Sequence, residues 1–443
     1  MLVVLLGVLV VAAGSPDGIA GADSGGQTAA FVLLLVALVP LAVSSLTIVV
    51  PRFVPWVAGI VSVVLAALLT LLIQFGLDNV AWSLYGGLKV LRAPEIFNDL
   101  AWTLRWVACE GCEADATNHG IGLLWLKPLT LGQVSGEWAI PLGFLGIIVM
   151  SLALVWLAKE SLPIGRLLIS LAAVSSAWLL LLDRANLDIL VFLIPIAGVF
   201  LYRRSSGYWG WTVLAVLVWW VGTWKYYPFA LGVILLPALR LKRGWAIIVS
   251  FVGATLLYLS LQASAIMGDL SQNASMVYIE DFPGFGRIPV IARITSEFTI
   301  GQEPLWPNVL LLLLGLVALL WGYRVSRRVE SAPIELPLMA FAGSLIFLVN
   351  TFVAGFGFGY KGAFLLLAIP LVAFLMKKPD RFTRYTALVL VSMLSISLFV
   401  TYSILLTSLV SIFGSFIILG LSFGTMVREK SKFFRLAQHE NAV

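Results

Sequence analysis

Four short polar groups interrupt an otherwise apolar chain, and each places a charged residue beside aromatic or amide side chains. The candidate site residues among them are one carboxylate, three cations, an amide and three phenols: Asp99, Arg184, Asn186, Lys225, Tyr226, Tyr227, Tyr360 and Lys361. A carboxylate can act as general base for a sugar hydroxyl. Cations can receive an anionic group such as a lipid phosphate. Phenol rings can stack on sugar faces. These residue types could therefore bind an anionic group, stack on a sugar and provide a general base.

Each of these groups also has a structural interpretation. Asp99 precedes a stretch that is predicted to be helical, and it could serve as the N-cap of that helix. The cations could anchor lipid headgroups or form ion pairs, with Asp183 or Asp188 as the partner of Arg184. The tyrosines could form an aromatic belt at a membrane interface. The sequence leaves these alternatives open.

The composition indicates a membrane protein. The chain has 443 residues, of which 61% are hydrophobic and only 11% are charged, whereas soluble domains carry about 25% charged residues. Repeated apolar runs approach the roughly 20 residues that a membrane-spanning helix needs. In lipid every backbone polar group must be paired within its own segment, so helices are the default. We therefore predict an all-α fold, with residues 1–443 forming a single integral membrane domain.

The apolar runs predict about 12 to 14 transmembrane helices. Spans are expected near residues 31–50, 56–75, 141–158, 167–182, 188–202, 209–223, 228–240, 245–262, 308–323, 336–353, 362–376, 385–403 and 407–426. Residues 1–13 are also apolar but are short for a span. A short first helix is favoured there, and a cleaved signal peptide is the alternative.

The basic residues indicate how the spans are oriented. If the predicted spans alternate in direction, one side holds 19 of the 28 basic residues but only 6 of the 22 acidic ones. An excess of Lys and Arg marks the cytoplasmic side. We therefore predict a multi-pass plasma-membrane protein with long outward loops at 77–140 and 263–307 and a cytoplasmic tail at 427–443. The charges lie between apolar runs and not on one soluble face, so the net charge of +6 predicts no nucleic-acid partner.

The first long loop contains two cysteines and a histidine that need separate consideration. Cys109, Cys112 and His119 are one ligand short of a structural zinc site. We therefore expect a local disulfide or two thiols, and no metal. The chain has no Walker loop, no dinucleotide fingerprint and no nucleophile elbow. No cofactor is expected.

The order and common sidedness of these motifs resemble the GT-C superfamily of polyprenol-phosphate-sugar-dependent glycosyltransferases. Within it, the chain is most similar to glycosyltransferase family 87, which includes mycobacterial mannosyltransferases. The resemblance covers roughly residues 56–400. It rests on five segments: Phe97-Asn98-Asp99-Leu100, Asn118-His119-Gly120, Arg184-Ala185-Asn186-Leu187-Asp188, Trp224-Lys225-Tyr226-Tyr227-Pro228 and Tyr360-Lys361.

The resemblance implies an inverting transfer of a hexose, with mannose as a candidate, from a polyprenyl-phosphate sugar. The acceptor would be a lipid-linked or cell-surface glycan, and the reaction would take place on the extracytoplasmic face, among membrane lipids. Asp99 would be the catalytic base. Donor phosphate would bind Lys225, Arg184 and Lys361, and substrate would contact Asn118, His119, Asn186, Tyr226, Tyr227 and Tyr360.

Two other functions remain open at this level. An O-antigen-type polymerase or ligase also combines many spans with large outer loops, and there outer Arg and His residues would matter instead of Asp99. A lipid or glycan transporter or flippase would carry charges at the bilayer midplane and an inverted repeat. In this sequence no repeat is visible, and the charges fall near the ends of spans.

The predicted orientation can be tested by cysteine labelling. In a chain without Cys109 and Cys112, a cysteine at Ser271 should react with a membrane-impermeant reagent in intact cells. A cysteine at Ser431 should react only after the cells are opened, because the basic excess places it in the cytoplasm. Equal labelling of both positions in intact cells would contradict this orientation.

Overall fold

A computed structural model describes most of the chain. The described residues are 54–74, 97–108, 138–185, 187–204, 207–264, 284–295, 305–329, 332–355, 357–398 and 404–440. The predicted span at 31–50 and the apolar residues 1–13 lie outside these ranges. The cysteines Cys109 and Cys112 also lie outside them.

Nearly all of the described chain is helical. The α-helices are α1 Val54–Gln74, α2 Asn98–Ala108, α3 Ala139–Glu160, α4 Pro163–Ala172, α5 Ser176–Arg184, α6 Asp188–Arg203, α7 Tyr208–Lys225, α8 Gly244–Leu261, α9 Arg287–Thr295, α10 Leu305–Ser326, α11 Glu335–Leu348, α12 Ile369–Met376, α13 Arg381–Leu398 and α14 Ile404–Glu440. Two 3₁₀ helices cover Tyr227–Arg240 and Gly359–Ala368, and a π-helical turn covers Val349–Val353. Two short strands, β1 Gly284–Phe285 and β2 Gly357–Phe358, pair antiparallel.

Five of these helices are long and apolar enough to cross a membrane. They cover Ala139–Glu160, Gly244–Leu261, Leu305–Ser326, Glu335–Val353 and Leu405–Arg428. The pair α4 and α5 would make a sixth span if the two helices are counted together. The all-α membrane class is thus confirmed, and the higher count of about 12 to 14 spans stays a prediction.

Two of the long helices expose large apolar side chains along most of their length. Val249, Leu257 and Leu261 on α8 are at least 60% exposed, and Val317 on α10 is 61% exposed. A helix that is apolar on every side is typical of a membrane span or of a buried position. These helices lie at the outside of the bundle, so their exposed faces are suited to contact with lipid.

The predicted single span at 167–182 is wrong in one respect, because it is broken. Helices α4 and α5 meet at an angle of 55°. Ser175 is the N-cap of α5, and its hydroxyl accepts a hydrogen bond from the backbone N–H of Trp178. A serine hydroxyl that accepts a hydrogen bond from an N–H group in the first turn favours the start of a new helix at that position. The buried Trp178 indole then donates to the Ser62 hydroxyl at 2.8 Å, which ties α5 to α1.

Two other predicted spans, 228–240 and 362–376, contain long 3₁₀ segments. A 3₁₀ helix rises about 2 Å per residue. The 14 residues of Tyr227–Arg240 therefore cover about 28 Å, close to the roughly 30 Å of a bilayer core. The tighter winding lets a short apolar run extend nearly as far as a normal span.

Helix α13 begins four residues earlier than predicted because Asp380 caps it. The Asp380 carboxylate accepts hydrogen bonds from the Thr383 backbone N–H at 2.8 Å and from the Thr383 hydroxyl at 2.6 Å. These side-chain and backbone hydrogen bonds lower the pKa of Asp380. Asp380 is also 3.9 Å from the Arg328 guanidinium.

Charged contacts lie at both ends of helix α6. At its last residue, Arg203 contacts Glu160 through two hydrogen bonds, of 2.6 and 2.7 Å, and Glu335 at 3.3 Å. At its first residue, Asp188 contacts two lysines. The 16 residues between these ends span about 24 Å. An apolar layer of nearly membrane thickness therefore separates two layers of ion pairs.

Close contact between α10 and α14 depends on glycines. A Cβ atom at Gly420 would fall on the carbonyl oxygen of Leu319, and one at Gly322 on that of Ile417. Small residues allow membrane helices to approach closely, which increases their van der Waals contact.

We expect Gly420→Ala to lower the thermal midpoint of the detergent-solubilised protein, because the added methyl group meets backbone atoms. Overpacking of this kind costs about 1–3 kcal/mol. The matched control is Gly253→Ala on α8, where a Cβ meets nothing within 4 Å. The control should leave the midpoint unchanged or raise it, because Ala favours a helix by about 1 kcal/mol over Gly. Equal midpoints for the two variants would contradict the packing argument.

Candidate functional site

The site lies at the end of the bundle where α6 begins. The Asp188 carboxylate is fully buried. It accepts a hydrogen bond from Lys361 Nζ at 2.7 Å and lies 3.4 Å from Lys225 Nζ. Lys225 is the last residue of α7, and Lys361 lies in the 3₁₀ helix Gly359–Ala368. One carboxylate therefore joins three helical segments that are far apart in the sequence.

Two phenols complete the group around Lys361. Lys361 Nζ donates to the Tyr227 hydroxyl at 2.6 Å and lies 5.0 Å from the Tyr360 ring centroid. The buried side chain of Tyr360 also interacts with Asp188. We call these five residues, Asp188, Lys225, Tyr227, Tyr360 and Lys361, the Asp188 cluster. The ammonium group of Lys361 is thus enclosed by aromatic rings and one carboxylate, an arrangement that stabilises a buried cation.

A second ion pair lies beside this cluster. Arg184, the last residue of α5, donates to the Asp99 carboxylate at 2.8 Å, and the side chains are 13% and 25% exposed. Tyr360 experiences the charges of Asp99 and Arg184 as well as that of Asp188. Asp99 also attracts Lys361. The pair and the cluster therefore form one electrostatic unit, and its Asp99 side is the side more open to solvent.

Strained backbone surrounds this unit. Within the described ranges, three residues other than glycine have positive φ: Phe97 at 53°, Ala185 at 43° and Tyr226 at 60°. Each lies within two residues of a charged member of the site. Such conformations cost on the order of 1–3 kcal/mol each and are concentrated at functional sites. All three therefore mark the same end of the bundle.

The positive φ at Tyr226 sets the directions of the Tyr226 and Tyr227 side chains. Its φ of 60° and ψ of −52° separate α7 from the following 3₁₀ helix. Tyr227 consequently reaches Lys361, while the Tyr226 ring lies 6.4 Å from the ring of Tyr258 on α8. Tyr258 in turn donates to the Thr223 carbonyl at 2.9 Å. Tyr226 therefore contributes to an aromatic wall beside the site and is not a member of the Asp188 cluster.

The structure brings together most of the predicted site residues that it describes. Asp99, Arg184, Lys225, Tyr227, Tyr360 and Lys361 converge, and Tyr226 lies next to them. Asn118, His119 and Asn186 lie outside the described residues. Their predicted contacts with substrate are therefore untested.

Three structural interpretations from the sequence need correction. Asp99 is the second residue of α2 and not its N-cap, since the first helical hydrogen bond runs from Ala101 to the Phe97 carbonyl. Arg184 forms its ion pair with Asp99, and Asp183 provides only a weaker attraction. Tyr360 is buried, so it does not belong to a lipid-facing aromatic belt.

Asp188 is the central residue that sequence reasoning missed. The sequence showed it only as a possible partner of Arg184 and as the last residue of one of the five segments of the resemblance. A usable signal was present, because an acid at the start of an apolar run requires a cationic partner in a membrane protein. The sequence could not identify which cations would reach it, because Lys225 and Lys361 are 37 and 173 positions away.

Comparison with known protein families, with curated proteins and with solved structures finds no match to this chain. Among the described residues, no group of three His, Cys, Asp or Glu side chains is placed to hold a metal ion. The fold and the site thus define a class: a helical membrane protein with a buried cluster of charges and phenols at one end of its bundle. The glycosyltransferase resemblance stays a prediction.

We expect Asp188→Asn to destabilise the protein strongly, because two ammonium groups would lose their shared carboxylate. Breaking a buried pair in this way costs about 3–5 kcal/mol. Adding Lys361→Met to Asp188→Asn should recover part of the loss, because it removes one of those buried charges. Thermal unfolding in detergent measures all three chains. A native-like midpoint for Asp188→Asn, or a further loss in the double variant, would contradict this account.

Proposed function

We propose that this protein is an inverting membrane glycosyltransferase. Its donor is a polyprenyl-phosphate hexose, with mannose as one candidate, and its acceptor is a lipid-linked or cell-surface glycan. It acts in the plasma membrane with its site on the extracytoplasmic face. The observation that carries the proposal is the convergence of one partly open carboxylate, three cations and two phenols at one end of an apolar helix bundle.

The charges of the site suit a phosphate ligand. Asp188 lies within hydrogen-bond distance of both Lys225 and Lys361. A phosphate beside them would add a second anion to two ammonium groups and would be held by charge-assisted hydrogen bonds. Arg184 lies close by and offers a planar guanidinium that can bind phosphate through two parallel hydrogen bonds.

The position of the site suits a lipid-linked donor. The charged residues lie where α5, α6 and α7 begin or end. A phosphate at this level leaves its polyprenyl chain at the depth of the apolar helices, where burial of each CH₂ group contributes about 0.8 kcal/mol. A sugar nucleotide has no apolar part that could use this surface.

The ion pair of Asp99 suggests how the base becomes available. In the structure the Asp99 carboxylate is held by Arg184. A donor phosphate that binds Arg184 would compete for that guanidinium and leave Asp99 free to accept a proton. Binding of the donor would therefore prepare the base for the acceptor.

The chemical step then needs no further group. Asp99 takes the proton of the acceptor hydroxyl as its oxygen attacks the anomeric carbon from the face opposite the phosphate. The bond between that carbon and the phosphate oxygen breaks, and its electron pair stays on the phosphate. The cations stabilise the charge that develops there. The products are the glycosylated acceptor, with inverted configuration, and polyprenyl phosphate.

The direct test is transfer of label from a set of donors. Purified protein is incubated with radiolabelled polyprenyl-phosphate hexoses and a panel of glycolipid acceptors, with the matching sugar nucleotides as control donors. We expect product only from the lipid-phosphate donors. Movement of the labelled lipid across proteoliposomes without any transfer would instead support a flippase. Transfer of preassembled glycan that is unaffected by loss of Asp99 would support a polymerase or ligase.

Asp99→Asn should lower turnover at saturating donor by about 10²–10⁴-fold, because the amide cannot accept the proton. Arg184→Gln is the matched control, because it breaks the same ion pair but keeps the carboxylate. It should mainly raise the donor KM. If the two variants change kcat and KM in the same way, Asp99 serves only as the partner of Arg184 and is not the base.

A further inference from the structure

A buried amide lies in an irregular turn at the end of the bundle that holds the Asp188 cluster. Helix α11 ends in the π-helical turn Val349–Val353. Asn350 in this turn is only 8% exposed. Its side-chain oxygen has no hydrogen-bond donor among the residues that the structure describes. An unsatisfied buried acceptor costs about 1–3 kcal/mol, and single π turns occur frequently at functional sites.

The neighbouring polar groups of the turn have structural partners. The Thr351 hydroxyl donates to the Phe347 carbonyl at 2.7 Å. The Phe352 carbonyl accepts a hydrogen bond from Arg287 Nε at 3.1 Å, which fastens α9 to the turn. These contacts account for Thr351 and Phe352 as parts of the fold. They do not account for the amide oxygen of Asn350.

The geometry of α11 places Asn350 at the level of the Asp188 cluster. A Cβ at Gly343 would meet the Phe364 carbonyl, so this face of α11 packs against the 3₁₀ helix Gly359–Ala368. Asn350 lies seven residues further along, or about 10 Å along the axis. Helix α11 starts at the Arg203 end of α6, where Glu335 pairs with Arg203, whereas the 3₁₀ helix starts at the Asp188 end, so the two run in opposite directions. At about 2 Å per residue, the same distance leads from Phe364 back five residues to Gly359, next to Tyr360.

The second 3₁₀ helix of the site also reaches this turn. The Val349–Val353 turn packs against the helix Tyr227–Arg240, which begins at Tyr227 of the cluster. Asn350 therefore lies in a turn that contacts the segment of Tyr227 and that ends the helix packed against the segment of Tyr360. The turn is therefore a candidate contact for a ligand that is held at the Asp188 cluster.

We propose that Asn350 is a sugar-binding residue whose amide oxygen accepts a hydrogen bond from a hydroxyl of the hexose held beside the Asp188 cluster. The inference rests on the proposed function and extends it, since it assigns a contact to the sugar that is separate from the contacts to the phosphate. An amide oxygen accepts only from donors, and hexose hydroxyls are such donors. The ligand then supplies the hydrogen bond that the protein alone does not.

The test measures separately how the buried amide affects stability and how it affects ligand affinity. Asn350→Leu has nearly the same volume and no polar atom. Its thermal midpoint without ligand should equal or exceed that of the native protein, because removal of an unsatisfied polar group by an apolar one is neutral or stabilising. Binding is then measured with two probes, polyprenyl phosphate and polyprenyl-phosphate mannose. For the second probe the affinity of Asn350→Leu should fall by about 2- to 10-fold, and for the first it should not change.

Ser344→Ala provides the matched control. Ser344 is also buried on α11, and its hydroxyl also has no partner among the described residues. It lies before the π turn, so its removal should leave the affinity for both probes unchanged. If the native protein binds neither probe, both the proposed function and this inference fail. The native protein is expected to bind the mannose probe more tightly than polyprenyl phosphate. If Asn350→Leu shows the same preference for the mannose probe as the native protein, only the role of Asn350 is overturned.

Discussion

The buried carboxylate of Asp188 is the contact on which this end of the molecule depends. It is fully enclosed and holds Lys361 at 2.7 Å and Lys225 at 3.4 Å. A charge in an apolar interior is tolerated only when it is paired and hydrogen-bonded. Helices α6 and α7 and the 3₁₀ helix of Lys361 must therefore meet at one point. Any movement that separates them would leave a charge buried without its partner.

The strained turns follow from this requirement. Tyr226 and Ala185 adopt positive φ next to Lys225 and Arg184, and regular helix at either position would carry the following residues away from the site. Each conformation costs on the order of 1–3 kcal/mol. Dense apolar packing of the bundle, with residues such as Trp178 fully buried, offsets this cost. The strain thus fixes side-chain direction at the place where a ligand would need it.

The two charged ends of α6 differ in a way that is relevant to function. At the Arg203 end, one guanidinium lies between two carboxylates, Glu160 and Glu335. At the Asp188 end, two ammonium groups share one carboxylate. The excess of carboxylates at the Arg203 end disfavours binding of a further anion. The excess of ammonium groups at the Asp188 end favours it. This asymmetry is the physical reason why the proposed phosphate site is at the Asp188 end.

The class of fold follows from the amino-acid sequence, because apolar runs in lipid must satisfy their own backbone groups as helices. The sequence also indicated Asp99, Arg184, Lys225 and Lys361, since charged residues beside membrane spans need a reason to be there. Which of these charges pair with one another is evident only from the packing of the helices. Asp99 and Arg184 are 85 positions apart, and helical periodicity describes only neighbours within a few turns. The break before helix α5 at Ser175 and the positive φ of Tyr226 likewise depend on packing against distant helices, which no local sequence pattern specifies.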